Sequence, residues 1–114
     1  MDVISFIFCL GNFKNYFVKN ANTTPQTVVT VSSGVQTTVI GMTLANMTTS
    51  PITANVYVTS GDTDYYVLSQ GGIPVGSSLV PVGKEQKLVL EATDALKVSA
   101  SGNADVILSV LEIS

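Results

Sequence analysis

The carboxylates are the groups in this sequence with the plainest capacity for chemistry, because the chain contains no histidine. Acid–base catalysis usually takes a histidine or a carboxylate held in a pocket. The eight acidic residues are scattered, and Glu91, Asp94, Asp105 and Glu112 fall at predicted corners, beside turns or in the last strand. Acids at such positions are normally solvated. We therefore predict that the protein is not an enzyme and has no catalytic residues.

Nucleophile and phosphate-loop motifs are also missing from the sequence. Serine and threonine are abundant, but no base stands beside one in a recognisable motif, and no G-x-S-x-G occurs. The stretch SQGGIPVGSS (69–78) has the glycines of a phosphate loop without its lysine. Cys9 is the single cysteine, which excludes an internal disulfide, and we interpret it as an unreactive buried thiol.

The remaining candidate sites are a possible calcium site and a group of tyrosines. Asp62-Thr63-Asp64 offers two carboxylates, whereas Ca²⁺ takes six to eight oxygen ligands, so we interpret this stretch as a hairpin turn and expect no metal or cofactor. Carbohydrate sites often use exposed aromatic rings, for which Tyr57, Tyr65 and Tyr66 are candidates. Tyr65 and Tyr66 are adjacent, so in a strand one of them faces inward. Glycan binding stays an alternative.

The elements that must position these residues are β-strands. The stretch ITANVYVTS (52–60) alternates with a period of two, as a half-buried strand requires. One face takes Ile52, Ala54, Val56 and Val58, and the other takes Thr53, Asn55, Tyr57 and Thr59. Further strands are predicted at 27–32, 37–46, 64–70, 77–83, 86–92, 95–101 and 105–114, separated by turn residues about every 10 positions.

This pattern is typical of an all-β protein. Within 37–46, Ile40, Met42 and Leu44 share a face, and Gly41 marks a bulge or a close backbone approach. Short strands at this spacing indicate an antiparallel β-sandwich over residues 20–114, jelly-roll-like with about seven or eight strands.

Residues 1–19 are predicted to form an N-terminal arm or added strand. They contain the apolar run VISFIFCL (3–10), which is too short for a transmembrane helix and lacks the basic residues of a signal peptide. Three interpretations stay open. The aromatics of this segment complete the core of their own subunit, or they add a strand or a plug to a neighbouring subunit, or Met1–Leu10 precede the true start of the gene product. The aromatics are Phe6, Phe8, Phe13, Tyr16 and Phe17.

The scarcity of charge carries the prediction of function. Charged residues make up 11% of the chain, against about 25% in ordinary soluble domains, and none lies in residues 20–61. The net charge of −3 and the absence of arginine exclude nucleic acid as a partner. Strands that face water usually carry charges, so this surface indicates burial against other subunits. Thr53 and Tyr57, on the outward face of 52–60, join the five front aromatics as candidate interface residues.

Four stretches of the chain share residues with a known family: GNFKNYFVKN (11–20), IGMTLANMTTSPITANVYV (40–58), DYYVLSQGGIPVGSSLVPV (64–82) and KLVLEATDALKVSASGNADVILSVLEIS (87–114). The pattern IP-x-GSSL … KLVLE-x-x-D-x-L-x-V-x-AS … DV-x-LS-x-LEI resembles that of small virion structural proteins of tailed bacteriophages, frequent in marine and cyanobacterial phages. The resemblance covers about residues 11–114, and Met1–Leu10 depart from it.

The resemblance implies a non-enzymatic, multi-copy component of a tailed-phage virion. We predict a capsid decoration or cement protein, with a neck or tail accessory protein or a glycan-binding tail module as alternatives. The implied partners are further copies in a homo-oligomer and other virion proteins, such as the major capsid protein or neck and tail proteins. We expect no nucleic acid, membrane or cofactor among its partners.

Overall fold

The computed structural model describes residues 11–82 and 87–113. These residues form nine β-strands, and no helix long and apolar enough to cross a membrane occurs among them. The strands are β1 (Asn12–Ala21), β2 (Gln26–Thr30), β3 (Gln36–Asn46), β4 (Ile52–Ser60), β5 (Thr63–Ile73), β6 (Ser78–Val82), β7 (Leu88–Leu90), β8 (Ala95–Ala100) and β9 (Ala104–Ile113).

The strands make two antiparallel sheets that pack face to face. Sheet A has the order β1-β9-β3-β6, with the short β7 also paired to β3, and sheet B has the order β2-β8-β4-β5. The chain crosses repeatedly between the sheets, as in a jelly roll. The predicted antiparallel β-sandwich is confirmed. The nine observed strands are the eight that were expected in the sandwich and one strand, β1, that begins in the front segment.

The core lies between the inward faces of the two sheets. In β4 the predicted alternation holds, because Ile52, Ala54, Val56 and Val58 are all buried. Burying an aliphatic side chain of this kind contributes about 1.5–3 kcal/mol. The largest fully buried side chains are Val39, Met42, Leu44, Val56, Ile73, Val82, Leu90, Leu96, Val98, Val106, Leu108 and Val110.

A bulge in β3 changes one of the predicted positions. The register between β3 and β9 shifts between Val39 and Gly41, so of the two alternatives predicted for Gly41, a bulge or a close backbone approach, the structure has the bulge. The extra residue moves the alternation by one, so Val39 is fully buried and Ile40 is only half-buried. The prediction that Ile40 shares the inward face of Met42 and Leu44 was therefore wrong. The inward residue is Val39.

Strand β1 crosses the predicted boundary between residues 19 and 20. It pairs with β9 from Asn12↔Glu112 to Ala21↔Ala104, with a register shift after Val18. Val18 and Ala21 both belong to the buried core. Residues 12–19 are thus an edge strand of sheet A, and residues 1–10, including Phe6, Phe8 and Cys9, lie outside the described part of the chain.

Candidate interaction surface

Four of the acidic residues singled out in the sequence, Asp64, Asp94, Asp105 and Glu112, accept hydrogen bonds within the local structure. The Asp94 carboxylate accepts the backbone N–H of Glu91 at 3.0 Å and so holds the corner at Thr93, whose φ is 73°. The Asp64 carboxylate accepts the Thr59 hydroxyl at 2.6 Å. Within residues 11–82 and 87–113, no three metal-ligating side chains form a group.

Polar side chains on the inner side of the edge strand β1 bind it to β9. On the inner side, the Tyr16 hydroxyl donates to Glu112 at 2.5 Å, and Lys14 Nζ lies 3.6 Å from the same carboxylate. The hydrogen bond to Glu112, with burial second, raises the pKa of Tyr16 to about 12. Tyr16 thus anchors β1 from within the sandwich.

The outward side of sheet A carries two apolar rows that run across the strands. In the first row, Phe13 of β1 is paired with Leu111 of β9, Leu111 with Thr38 of β3, and Thr38 with Val89 of β7. In the second row, Phe17 is paired with Ile107 and Ile107 with Thr43. Val80 of β6 lies beside the second row. We call this surface the outer face of sheet A; its apolar residues are Phe13, Phe17, Val80, Val89, Ile107 and Leu111.

The apolar side chains of this face are strongly exposed. Phe13 is 74% exposed and Phe17 is 67% exposed, and Val80, Val89 and Ile107 are each about half exposed. An aromatic side chain has about 150–250 Å² of surface. The two phenylalanines and the three half-exposed aliphatic side chains together expose on the order of 500 Å² of apolar surface. Monomeric soluble proteins rarely leave a larger contiguous patch open to water, and patches of this size often mark interaction sites.

Among the residues that the structure describes, charge on this face lies at its borders. Between the two apolar rows lie Asn15 and Ser109, whose hydroxyl donates to the Asn15 side chain at 2.9 Å. At one end, Lys19 Nζ lies 2.9 Å from Asp105, and this hydrogen bond, with a second from the Asn20 backbone, lowers the pKa of Asp105. A shallow, mostly apolar depression of about 220 Å³ lies between Phe17 and Ile107.

Around Asn55, the outward side of sheet B is polar and internally hydrogen-bonded. The Asn55 side chain accepts the Gln70 backbone N–H at 2.8 Å and donates to Ser99 at 3.3 Å. The Ser101 hydroxyl accepts the Thr53 backbone N–H at 2.9 Å. A depression of about 210 Å³ here is lined by hydroxyl and amide groups, including those of Thr23 and Gln70.

The tyrosines of sheet B are divided between packing and exposure. Tyr57 is on the outward side, yet it is only 7% exposed, because the ring of Tyr66 stacks on it with centroids 4.9 Å apart. Burial and the nearby Asp64 carboxylate raise the pKa of Tyr57. Tyr65 and Tyr66 are both more than half exposed.

The structure therefore distributes the predicted interface residues over three surfaces. Phe13 and Phe17 lie together on the outer face of sheet A, Tyr16 lies on the inner side of the same strand, and Thr53 and Tyr57 lie on the outward side of sheet B. Sequence reasoning did not include Val80, Val89, Ile107 and Leu111 in this surface. Their outward positions follow from strand pairing between distant parts of the chain, and only the alternation within 105–114 could have indicated Ile107 and Leu111.

Comparisons with known proteins give a likeness of fold. No family model matches the sequence, and no curated protein matches it. Among solved structures, the chain is similar to a subunit of the Bacillus endospore appendages, described as a novel family of disulfide-linked pili. The match has a TM-score of 0.53 at 13% identity and covers 92% of this chain and 88% of that one. Both chains thus share one β-sandwich architecture over most of their length.

Proposed function

We propose that the protein is a non-enzymatic structural subunit that acts in many copies in an assembled particle. Its outer face of sheet A is the surface through which copies meet. The observation that carries this proposal is the pair of apolar rows across sheet A. Phe13 is 74% exposed and Phe17 is 67% exposed there, and the charged side chains of the described part of the face lie at its borders. Interface cores are depleted of charge and enriched in aromatic side chains in the same way.

The particle that we favour is the virion of a tailed bacteriophage, with the protein as a capsid decoration or cement protein. The resemblance of residues 11–114 to small virion structural proteins supports this assignment. A cement protein requires a compact domain whose faces bridge neighbouring subunits, and an uncharged apolar face meets that requirement. A neck or tail accessory role would use the same face.

The test compares assembly by the parent chain with assembly by two lysine variants. Phe17→Lys places a charge on the outer face of sheet A, and Thr63→Lys places the same charge at the exposed start of β5 as a control. We expect sedimentation velocity to show oligomers for the parent and for Thr63→Lys, and monomers for Phe17→Lys. A parent chain that stays monomeric at high concentration would overturn the proposal.

Thr53 tests the outward side of sheet B separately. We expect Thr53→Lys to fold and to hinder assembly, but less than Phe17→Lys does, because Thr53 offers less apolar surface. Assembly of Thr53→Lys equal to that of the parent would count against an interface on that side.

A second candidate function is that of a fibre subunit. The similar solved subunit belongs to disulfide-linked pili, and the alignment spans most of both chains. This chain has one cysteine, Cys9, so any disulfide it forms must join two chains. Imaging of assembled material would distinguish this candidate, since it predicts filaments, within which Cys9 can join copies covalently only in pairs.

Glycan binding by a tail module is supported by the exposed rings of Tyr65 and Tyr66. The hydroxyl-lined depression on the outward side of sheet B, the side on which Tyr66 stacks on Tyr57, could supply hydrogen bonds to a neutral sugar. Binding to a glycan array, lost on Tyr66→Ala and retained on Phe17→Lys, is the expected result for this alternative.

A further inference from the structure

We propose that β1 pairs with β1 of a second copy, antiparallel and about a two-fold axis at Asn15. Sheet A of one copy would then continue into sheet A of the other through their edge strands. This contact goes beyond the proposed function, because it uses the edge of sheet A and leaves the outer face of sheet A open for further copies.

Strand β1 offers the longest regular edge among the described strands. Sheet A ends in β1 and β6, and sheet B ends in β2 and β5. The pairing of β1 with β9 keeps one register over residues 12–18. Register shifts interrupt the pairing of β2, β5 and β6 with their neighbours, and β6 also contains Pro81. An edge strand presents a row of unpaired N–H and C=O groups, so the regular part of β1 is the edge best suited to accept a strand.

The side chains of this regular stretch are arranged symmetrically about its midpoint. Residues 12–18 read NFKNYFV, with Asn15 in the middle. When two copies pair antiparallel about Asn15, Phe13 lies opposite the partner's Phe17, and Lys14 lies opposite the partner's Tyr16. Residues that lie opposite each other in an antiparallel pair project to the same face of the sheet. The stretch therefore matches a second copy of itself in register and in side-chain type.

On the outer side, this pairing makes two aromatic contacts. Phe13 and Phe17 are both strongly exposed in the single subunit. In the pair, each lies against the other residue type of the partner, and the Cβ atoms of such opposite residues are about 4.5–5.5 Å apart. Aromatic pairs at this separation are among the favourable cross-strand contacts. The row of Phe13 also continues into the row of the partner's Phe17, so the apolar surface is joined across the axis.

On the inner side, the lysine of the edge is already compensated. Lysines on an edge strand usually oppose the addition of another strand. Here Lys14 Nζ lies 3.6 Å from the Glu112 carboxylate and 5.9 Å from the centre of the Tyr16 ring. Pairing brings the partner's Tyr16 ring opposite this ammonium group, where a second cation–π contact can form. Lys19, which is bound to Asp105, lies beyond the regular stretch.

The edge contact is weak by itself. A ladder over residues 12–18 gives about six to eight backbone hydrogen bonds, and interfaces that bury less than about 1,200 Å² are typically transient. We therefore expect isolated chains to pair briefly and assembled copies to retain the pair. Covalent trapping detects such a pair, whereas sedimentation does not.

Trapping with a short bis-thiol reagent tests the geometry. Asn15→Cys in a Cys9→Ser chain places the one thiol at the axis, opposite its own copy. Ser109→Cys in the same background holds the two thiols roughly 14 Å apart, across three strand spacings, which the reagent is chosen not to span. Thr63→Cys, at the exposed start of β5, measures random collisions. We expect Asn15→Cys to form covalent dimers about 10-fold faster than either control, because pairing holds its thiols at a high effective concentration.

A charge exchange on the outer side is an independent test in the Asn15→Cys background. Phe13→Glu with Phe17→Lys sets opposite charges against each other across the axis, whereas Phe13→Lys with Phe17→Lys sets like charges there. Both variants lose the same two aromatic side chains, and circular dichroism checks that both fold. Opposite charges stabilise a strand pair and like charges destabilise it, so we expect the first variant to crosslink on the order of 10-fold faster. Equal rates would overturn the inference.

The outcomes separate this inference from the proposed function. If the parent assembles while Asn15→Cys crosslinks no faster than Ser109→Cys, the edge pair is overturned and the proposed function stands. If Asn15→Cys crosslinks rapidly while the parent stays monomeric in sedimentation at high concentration, the edge pair is supported and the proposed function is overturned.

Discussion

The outward sides of the two sheets differ in how their side chains are satisfied. On sheet B, the Asn55 side chain bonds to Ser99 and to the Gln70 backbone. The Ser101 hydroxyl accepts the Thr53 backbone N–H. On sheet A, the corresponding positions hold Phe13, Phe17 and Ile107, which have no polar atoms in their side chains and remain open to water. The polar groups of the first side are engaged in hydrogen bonds, whereas the second side exposes apolar side chains.

This difference shows that a low content of charged residues does not by itself identify an interface. The 42 residues from Asn20 to Gly61 carry no charge, and they supply strands to both sheets. A neutral side that satisfies its own hydrogen bonds can face water, whereas a neutral side of exposed aromatics is unfavourable there. The distribution of apolar atoms between the two sides is therefore the stronger indicator of an interface.

The largest expected effect comes from two adjacent residues of β9 that face opposite ways. Leu108 is fully buried and Ile107 is about half exposed on the outer face of sheet A. Leu108→Asp would bury an unpaired charge and should abolish folding, a loss comparable with the whole stability of about 5–15 kcal/mol. Ile107→Asp should fold with a change in stability within about 0.5 kcal/mol and fail to assemble.

Circular dichroism and sedimentation velocity on both variants make the measurement. A folded Leu108→Asp chain would contradict the assignment of the inner side of sheet A. An unfolded Ile107→Asp chain would show that the outer face belongs to the core of the subunit itself.

A smaller effect is expected from matched asparagines on the two sides. Asn55→Ala removes the acceptor of the Gln70 N–H and the donor to Ser99, so it should lower the free energy of unfolding by about 1–2 kcal/mol. Asn15→Ala loses one exposed hydrogen bond to Ser109 and should change it by less than about 0.5 kcal/mol. Urea denaturation of the two variants gives the comparison, and equal losses would mean that the two polar groups are equivalent.

An effect of about 1 kcal/mol that depends on pH is expected on the inner side of β1. The folded-state pKa of Tyr16 is about 12, raised from 10.0, so its hydrogen bond to Glu112 stabilises the fold fully below pH 10 and is lost as the pH rises toward 12. Tyr16→Phe should lower the free energy of unfolding by about 1 kcal/mol at pH 7. Between pH 10 and 12 the difference between parent and variant should disappear. A difference that stays constant over this range would exclude the hydrogen bond as its source.

Much of the fold could be predicted because its signals are local. The alternation of Ile52, Ala54, Val56 and Val58 alone defines the inward side of β4, and the turn residues separate the strands. The position of Ile40 was predicted wrongly because a bulge adds a residue without altering the composition of the strand. Gly41 indicated the bulge but could not show on which side of it the alternation would shift.

The candidate surface could be predicted only in part. Phe13 and Phe17 were candidates because aromatics concentrate near the N terminus. Their alignment with Val89 and Ile107 depends on pairing between strands that are far apart in sequence, and no local pattern contains that register. Tyr57 was predicted to face outward, but its burial beneath Tyr66 depends on the pairing of β4 with β5.

The irregular middle of β5 has a consequence for solubility. Gln70 has a φ of 53°, and its N–H is already used by the Asn55 side chain, so the backbone there is bent and one of its donors is occupied. An incoming strand would meet an interrupted ladder on this flank. The irregularity at Gln70 therefore disfavours the addition of a strand from another copy along that part of the border.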